Sequence, residues 1–167
     1  MTNKLRSRCL VLVLTFSLSA CSDLGDQSKT REVPPDNHEL VTITQGIWGN
    51  VLLYEGSFMP SPDGSSGTIT PVVRELQIFA PTLMSETTPI GGTRFTAIHS
   101  TLITTVSSKA NGFYQITLPE GRYSIFIKED STYYANWFDG EGYISQVRVA
   151  PDSVTKFQVD LTYNAVF

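Results

Sequence analysis

The side chains best suited to bind a ligand lie together in the segment 131–142, STYYANWFDGEG. Sugar rings stack on exposed aromatic faces while carboxylates accept hydrogen bonds from their hydroxyls, and tyrosine and tryptophan are also enriched where proteins recognise proteins. Large apolar side chains are usually buried, so the alternative is that these rings fold inward and close one end of a core. The candidate binding residues of this segment are Tyr133, Tyr134, Trp137, Asp139 and Glu141.

Groups that could catalyse hydrolysis are few. The sequence has two histidines, His38 and His99, and no local pattern around His99 marks the base, acid and nucleophile of a Ser–His–Asp site. The run DGEG at 139–142 carries two carboxylates, which could cleave a glycoside or bind calcium, but it lacks the alternating acidic residues of an EF-hand loop. We therefore predict a non-catalytic domain. A small hydrolase that uses these carboxylates or His99 is the alternative.

The N-terminus predicts export followed by lipidation. Lys4, Arg6 and Arg8 precede the apolar run 9–18, which is shorter than the roughly 20 residues that span a membrane and is typical of a signal peptide. The run ends in LSAC, which resembles the bacterial lipobox, where cleavage precedes the cysteine and its thiol receives a diacylglycerol. Lipoproteins of this kind carry two or three acyl chains, such as palmitate, and stable anchoring needs more than one. Cys21 is the predicted lipidation site, and an ordinary signal peptide with a chance cysteine is the alternative.

This processing simplifies the chemistry of the mature chain. Cys9 leaves with the signal peptide and Cys21 is acylated, so no thiol is expected for a disulfide or a nucleophile. Two histidines without cysteine are too few ligands for a typical zinc site, and we predict neither metal nor cofactor. Removing residues 1–20 deletes three basic groups and no acidic ones, which takes the formal net charge from −4 to −7. No basic stripe is present, so nucleic acid is not an expected partner.

Beyond the signal peptide, the sequence divides into a tether and one domain. Residues 22–40 are polar and contain Pro34 and Pro35, so they lack the apolar surface that would offset the entropy of ordering. Residues 41–167 alternate apolar and polar side chains between turn-forming residues, without helical periodicity. These features predict a lipidated cysteine and flexible tether over 21–40 and a single domain over 41–167.

The domain is predicted to be all-β, a single antiparallel sandwich of seven or eight strands. The last segment, 157–167, alternates most regularly, as a strand with one buried face does. Two further alternating runs flank Pro119-Glu120-Gly121, where proline and glycine suit a type I turn. We therefore predict a β-hairpin whose strands share one buried face. Its core residues would be Tyr114, Ile116, Leu118, Tyr123, Ile125 and Ile127.

The hairpin segment also resembles a known family. It fits the pattern G-x-[FY]-x-[IL]-x-L-P-x-G-x-Y through Gly112, Tyr114, Ile116, Leu118, Pro119, Gly121 and Tyr123. This pattern is similar to that of the carboxypeptidase regulatory-like domain, a small β-sandwich related to transthyretin. The resemblance implies an accessory or binding unit, because in that family the module is not the catalytic part. Fold alone does not fix function.

Together these features predict a lipid-anchored protein of the cell envelope whose β-sandwich binds or scaffolds a protein or glycan partner. Ser22 follows the lipidation site, whereas aspartate there is associated with inner-membrane retention in enteric bacteria. By that resemblance, the expected location is the outer membrane of a Gram-negative bacterium. The expected partners are the membrane, through the lipid, and an envelope protein or glycan.

Overall fold

The computed structural model describes residues 34, 36–62 and 66–167. The predicted signal peptide, the predicted lipidation site Cys21 and most of the predicted tether lie outside the described residues. Within the described part of the chain, no helix is long and apolar enough to cross a membrane.

Nearly all regular structure in these residues is β-strand, apart from two short 3₁₀ turns at His38–Leu40 and Met84–Glu86. The strands are β1 (Gly46–Ser57), β2 (Thr68–Pro71), β3 (Glu75–Phe79), β4 (Thr87–Gly91), β5 (Arg94–Ile98), β6 (Leu102–Ser107), β7 (Phe113–Thr117), β8 (Gly121–Glu129), β9 (Thr132–Tyr134), β10 (Gln146–Val149), β11 (Val154–Lys156) and β12 (Val159–Val166). The predicted all-β class is confirmed. The strands outnumber the seven or eight expected because several are short segments that share one neighbour.

The first sheet has five strands arranged around β1, the longest strand. The first half of β1 pairs with β7 and β11, and its second half pairs with β2 and β12. β2 and β7 run antiparallel to β1, whereas β11 and β12 run parallel to it, unlike the antiparallel direction predicted. Residues 46–52 of β1 are all buried, which is typical of a central strand covered on both faces.

The second sheet has seven strands, and every pair in it is antiparallel. Its order is β4-β5-β9-β8-β3-β6. β8 is the central strand, because β3 pairs along one edge while β10 and β9 share the other. β10 is therefore an edge strand of this sheet and lies beside the first half of β8.

The two sheets pack face to face over one apolar core. Side chains of both sheets meet there, and β1, β7, β8 and β12 contribute Ile47, Val51, Tyr114, Ile125, Ile127 and Leu161. A second cluster covers the outer face of the second sheet, where Phe79 and Phe95 meet Phe126 edge to face at 5.6 and 5.7 Å. This arrangement confirms the predicted β-sandwich.

The predicted hairpin is wrong, because its two strands lie in different sheets. β7 pairs with β1 in the first sheet, whereas β8 pairs with β3, β9 and β10 in the second. The intervening turn therefore carries the chain across the sandwich. The Tyr123 hydroxyl donates to the Pro119 carbonyl at 3.1 Å and fixes this crossing, as a tyrosine corner does in sandwich folds. Shared burial was predicted correctly, since five of the six residues join one core and Ile116 packs against it.

The last residues of the predicted tether lie against the domain. Asn37 is 4% exposed, and its Nδ2 donates to Asn50 Oδ1 at 2.6 Å and to the Asn111 carbonyl at 3.1 Å. The ring of His38 meets the ring of Trp48 edge to face at 5.5 Å. We call the three asparagines Asn37, Asn50 and Asn111 the asparagine clasp. The clasp holds the chain to the domain before residue 41, where the sequence places the boundary.

Candidate functional site

A cleft of about 600 Å³ opens between the two sheets on one side of the sandwich. One wall is β10 of the second sheet, and the other is formed by β11 and the start of β12 in the first. The floor reaches the core, because Ile125, Val147 and Val159 line the cleft and belong to the main apolar cluster. An apolar floor with a few polar groups, in a cleft of this size, is typical of ligand pockets.

Hydrogen bonds close both ends of the cleft. At one end, Thr155 Oγ1 donates to the Arg148 carbonyl at 2.7 Å and ties β11 to β10. At the other end, Asn136 Nδ2 donates to the Asp160 carbonyl at 2.9 Å and ties the segment after β9 to β12. The cleft is therefore a bounded opening between the sheets.

Trp137 is the predicted binding residue that lies at the cleft with an exposed ring. It lines the cleft and is 49% exposed. Its carbonyl accepts from the backbone N–H of Ser145 at 2.8 Å, which holds it beside the start of β10. Ser145 has a φ of 43°, uncommon for a residue other than glycine, and such backbone strain often accompanies functional sites. The backbone that carries the indole is therefore held beside the cleft.

Tyr134 also lines the cleft, but it is a buried residue of the core. It is 1% exposed, and its hydroxyl accepts from the backbone N–H of Thr162 at 3.0 Å. The same hydroxyl lies 3.1 Å from Thr162 Oγ1. These contacts join β9 of the second sheet to β12 of the first. Tyr134 therefore folds inward as part of the core, which was the alternative to a role in binding.

The other three predicted residues lie away from the cleft. Tyr133 packs against the outer cluster of the second sheet, with Lys128 Nζ 4.1 Å from its ring centroid. Asp139 Oδ1 accepts from the backbone N–H of Glu141 at 2.9 Å and so closes its own turn. Glu141 is exposed, and its carboxylate lies 3.9 Å from Arg122 Nη1. The structure does not bring the five predicted residues into one site.

Sequence reasoning did not identify most polar residues of the cleft, among them Gln146, Arg148, Lys156 and Gln158. Gln146 is the most informative of them, because its Nε2 is buried without a hydrogen-bond partner among the described residues. Its Oε1 accepts from Arg122 Nη1 at 3.0 Å, which fixes the orientation of the amide. A buried donor without a partner costs about 1–3 kcal/mol, so an acceptor on a ligand would relieve that cost. No sequence signal marks Gln146, since it occupies an ordinary strand position.

The cleft carries charges of both signs. Arg148 and Lys156 line it, and Lys156 Nζ lies 3.5 Å from Asp36 Oδ1. Burial raises the pKa of Asp160, while the hydrogen bond from Gln158 Nε2 at 2.8 Å opposes that shift. Burial is the larger effect, so this carboxyl group ionises less readily than a free aspartate.

The groups considered for hydrolysis are dispersed. His99 Nε2 lies 3.0 Å from Thr88 Oγ1 on the surface, and neither His99 nor Asp139 lines the cleft. Among the residues that the structure describes, no group of three or more His, Cys, Asp or Glu side chains is placed to hold a metal ion. This geometry gives no specific support to the hydrolase alternative.

Comparisons with known proteins leave the family open. No family model matches the chain, and no curated protein or solved structure matches it either. The fold and the cleft define a two-sheet β-sandwich with an opening beside β10. The likeness to the carboxypeptidase regulatory-like domain stays a prediction that rests on the pattern between Gly112 and Tyr123.

Proposed function

We propose that this chain is a lipid-anchored envelope protein whose non-catalytic β-sandwich binds a partner in the cleft beside β10. The observation that carries the proposal is the half-exposed indole of Trp137 above an apolar floor. Tryptophan is among the residues that most often dominate binding energy at protein surfaces, above all beside a pocket that excludes water. Burying its exposed half against a partner would therefore contribute strongly to affinity.

The chemistry of the cleft favours binding over catalysis. Its polar side chains include the amides of Asn136 and Gln146 and the guanidinium of Arg148. Amides and guanidinium groups orient a ligand through hydrogen bonds, but they do not act as the general base that a hydrolase needs. The carboxylate that lines the cleft, Asp160, already accepts a hydrogen bond from Gln158 Nε2 at 2.8 Å. A partner held by these groups would be bound and released unchanged.

The anchoring half of the proposal rests on the sequence before the domain. The basic residues at the start, the short apolar run and the LSAC tetrapeptide together favour lipidation at Cys21. An anchored domain would meet other envelope components at a high local concentration, because the anchor confines it to the membrane surface. Even a cleft with low affinity for its partner would then suffice to bind a neighbouring protein or glycan.

The test is partner capture by crosslinking in intact cells that express the tagged chain with Cys21 retained. Trp137→Ala should reduce partner recovery at least about tenfold, as loss of a central aromatic contact does. Phe138→Ala is the matched control, because Phe138 is the next residue and is 39% exposed but does not line the cleft. Equal recovery with both variants, each with unchanged circular dichroism, would overturn the cleft as the binding site. Cys21→Ser should move the protein out of the membrane fraction.

A further inference from the structure

We propose that the cleft accepts a short extended peptide segment of a partner protein, which pairs with the free edge of β10. This inference rests on the proposed binding function and names its class of ligand. Three features carry it: the direction of the backbone groups in the two walls, the length of the cleft, and the charges at its rim.

The edge of β10 that faces the cleft forms no ladder with another described strand, and β11 reaches it at Arg148, whose carbonyl accepts from Thr155 Oγ1 at 2.7 Å. Among the described strands β10 pairs with β8 alone, and Ile125 donates its N–H to the Ser145 carbonyl at 3.2 Å. Successive residues of a strand direct their backbone groups to opposite edges, so the N–H and C=O of Val147 also point toward β8. The backbone groups of Gln146 and Arg148 point to the opposite edge, so their N–H groups face the cleft. An added strand would find these donors in place.

The opposite wall offers a second edge. Among the described strands β12 pairs with β1 alone, and its Asp160 carbonyl is turned toward the cleft, where Asn136 Nδ2 reaches it. The N–H of a strand residue points to the same edge as its C=O, so the Asp160 N–H also faces the cleft. A peptide between β10 and β12 would therefore meet backbone N–H donors on both sides, while the Arg148 and Asp160 carbonyls keep their side-chain hydrogen bonds. A saccharide has no matching series of backbone groups, which makes it the less favoured ligand.

The length of the cleft sets the length of the segment. Residues 145–148 of the β10 wall span about 10 Å at 3.3 Å per residue, so three or four extended residues fit between the closed ends. Alternate side chains of such a segment would point inward onto Ile125, Val147 and Val159. Apolar residues at alternate positions are therefore favoured.

The rim favours an acidic residue in the same segment. The chain carries a formal net charge of −4, yet two basic residues, Arg148 and Lys156, line the cleft with one acidic residue, Asp160. Lys156 has Asp36 nearby, whereas Arg148 has no carboxylate within 4.0 Å in the part of the chain that the structure describes. A carboxylate on the segment would supply the missing partner of Arg148 and help to set the direction of the bound peptide.

The test uses residues 21–167 with Cys21→Ser, immobilised and exposed to a library of capped heptapeptides. In these peptides valine, leucine or isoleucine alternates with threonine, serine or aspartate. Retained peptides are then resynthesised with methyl groups on alternate backbone nitrogens, which blocks pairing on one edge and leaves the side chains unchanged. We expect methylation of the peptide to weaken its binding at least about tenfold. Binding of the unmodified peptide should slow hydrogen exchange of the backbone N–H of Arg148.

Two variants of Arg148 separate backbone pairing from charge. Arg148→Pro removes the N–H that faces the cleft without touching the ladder with β8, and proline is tolerated at such an edge position. Arg148→Ala removes the same side chain but keeps the N–H. We expect the proline variant to bind retained peptides at least about tenfold more weakly than the alanine variant.

The outcomes distinguish this inference from the function on which it rests. Retention of peptides by wild type, with loss on methylation and in Arg148→Pro, would establish strand addition. The inference would be overturned if wild type retained no peptide, or if methylated and unmodified peptides bound equally well. Neither result depends on whether the proline variant folds. If capture in cells still depends on Trp137, the cleft would then bind a ligand of another class, and the proposed function would stand without this inference.

Discussion

Replacing Tyr134 with phenylalanine removes one oxygen from the junction between the two sheets. The ring would remain buried, so the change leaves the apolar contribution of this residue nearly intact. The backbone N–H of Thr162, which donates to that oxygen at 3.0 Å, would lose its partner on the free edge of β12. Leaving a donor unsatisfied costs about 1–3 kcal/mol where water is largely excluded, and at this half-buried position we expect the free energy of unfolding to fall by about 2 kcal/mol.

Urea unfolding of the unlipidated chain, followed by intrinsic fluorescence, measures this loss. With a slope of about 1–3 kcal/mol per molar urea for a small domain, a loss of 2 kcal/mol lowers the midpoint by roughly 1 M. Tyr133→Phe is the matched control, because its ring packs beside Phe79 and Lys128 while its hydroxyl makes no hydrogen bond to another described residue. That variant should change stability by less than about 0.5 kcal/mol.

A result in which the two tyrosine variants have equal midpoints would refute this reasoning. It would mean that water satisfies the Thr162 N–H as well as the Tyr134 hydroxyl does, so that the edge of β12 is open at this point. A larger loss for Tyr133→Phe would instead show that the outer cluster matters more than the junction between the sheets. Either outcome would change the description of the end of the cleft.

Two other predictions concern the first sheet. Gly49→Ala should cost more than about 3 kcal/mol, because a Cβ at Gly49 would overlap the carbonyl oxygen of Phe157. Gly140→Ala should be nearly neutral, since no described residue apart from its chain neighbours lies within 4 Å of a Cβ at that position, and thermal unfolding compares the two variants. Burial raises the pKa of Asp160, so the folded state holds this proton more tightly than the unfolded chain, and wild type should lose stability relative to Asp160→Asn as the pH rises above 3.8. A stability difference that stays constant between pH 4 and 7 would contradict the second prediction.

The strands themselves could be read from the sequence because alternation is a local property. The run 157–167 predicts buried Val159 and Leu161, and both are buried in β12. The partners of a strand are not a local property. The two runs around Pro119 alternate as a hairpin would, yet they face each other across the core, because strands of opposite sheets need the same apolar face. The tyrosine corner at Tyr123 was the available signal for a crossing between sheets.

The cleft was harder to predict than the fold. Trp137 could be proposed from its residue type, since an aromatic residue in a polar, glycine-rich segment is a reasonable candidate for exposure. Gln146 and Arg148 could not, because their accessibility depends on β10 having a ladder partner on one edge alone among the described strands, which only the arrangement of the sheets determines. Asp139 and Glu141 were proposed because they are carboxylates beside the aromatic residues of the segment 131–142. Asp139 instead hydrogen-bonds the backbone of its own turn, a common role for aspartate.

The asparagine clasp determines how a membrane anchor would act mechanically on the domain. With lipid on Cys21, covalent geometry limits the distance between Cys21 and Asn37 to roughly 55 Å, at about 3.3–3.6 Å per residue. Tension from such an anchor would enter the described domain near Asn37, which is hydrogen-bonded to Asn50 in the middle of β1. Four strands hold β1 in place, so the load would be shared across the whole first sheet. The cleft walls could then keep their spacing while the protein is pulled.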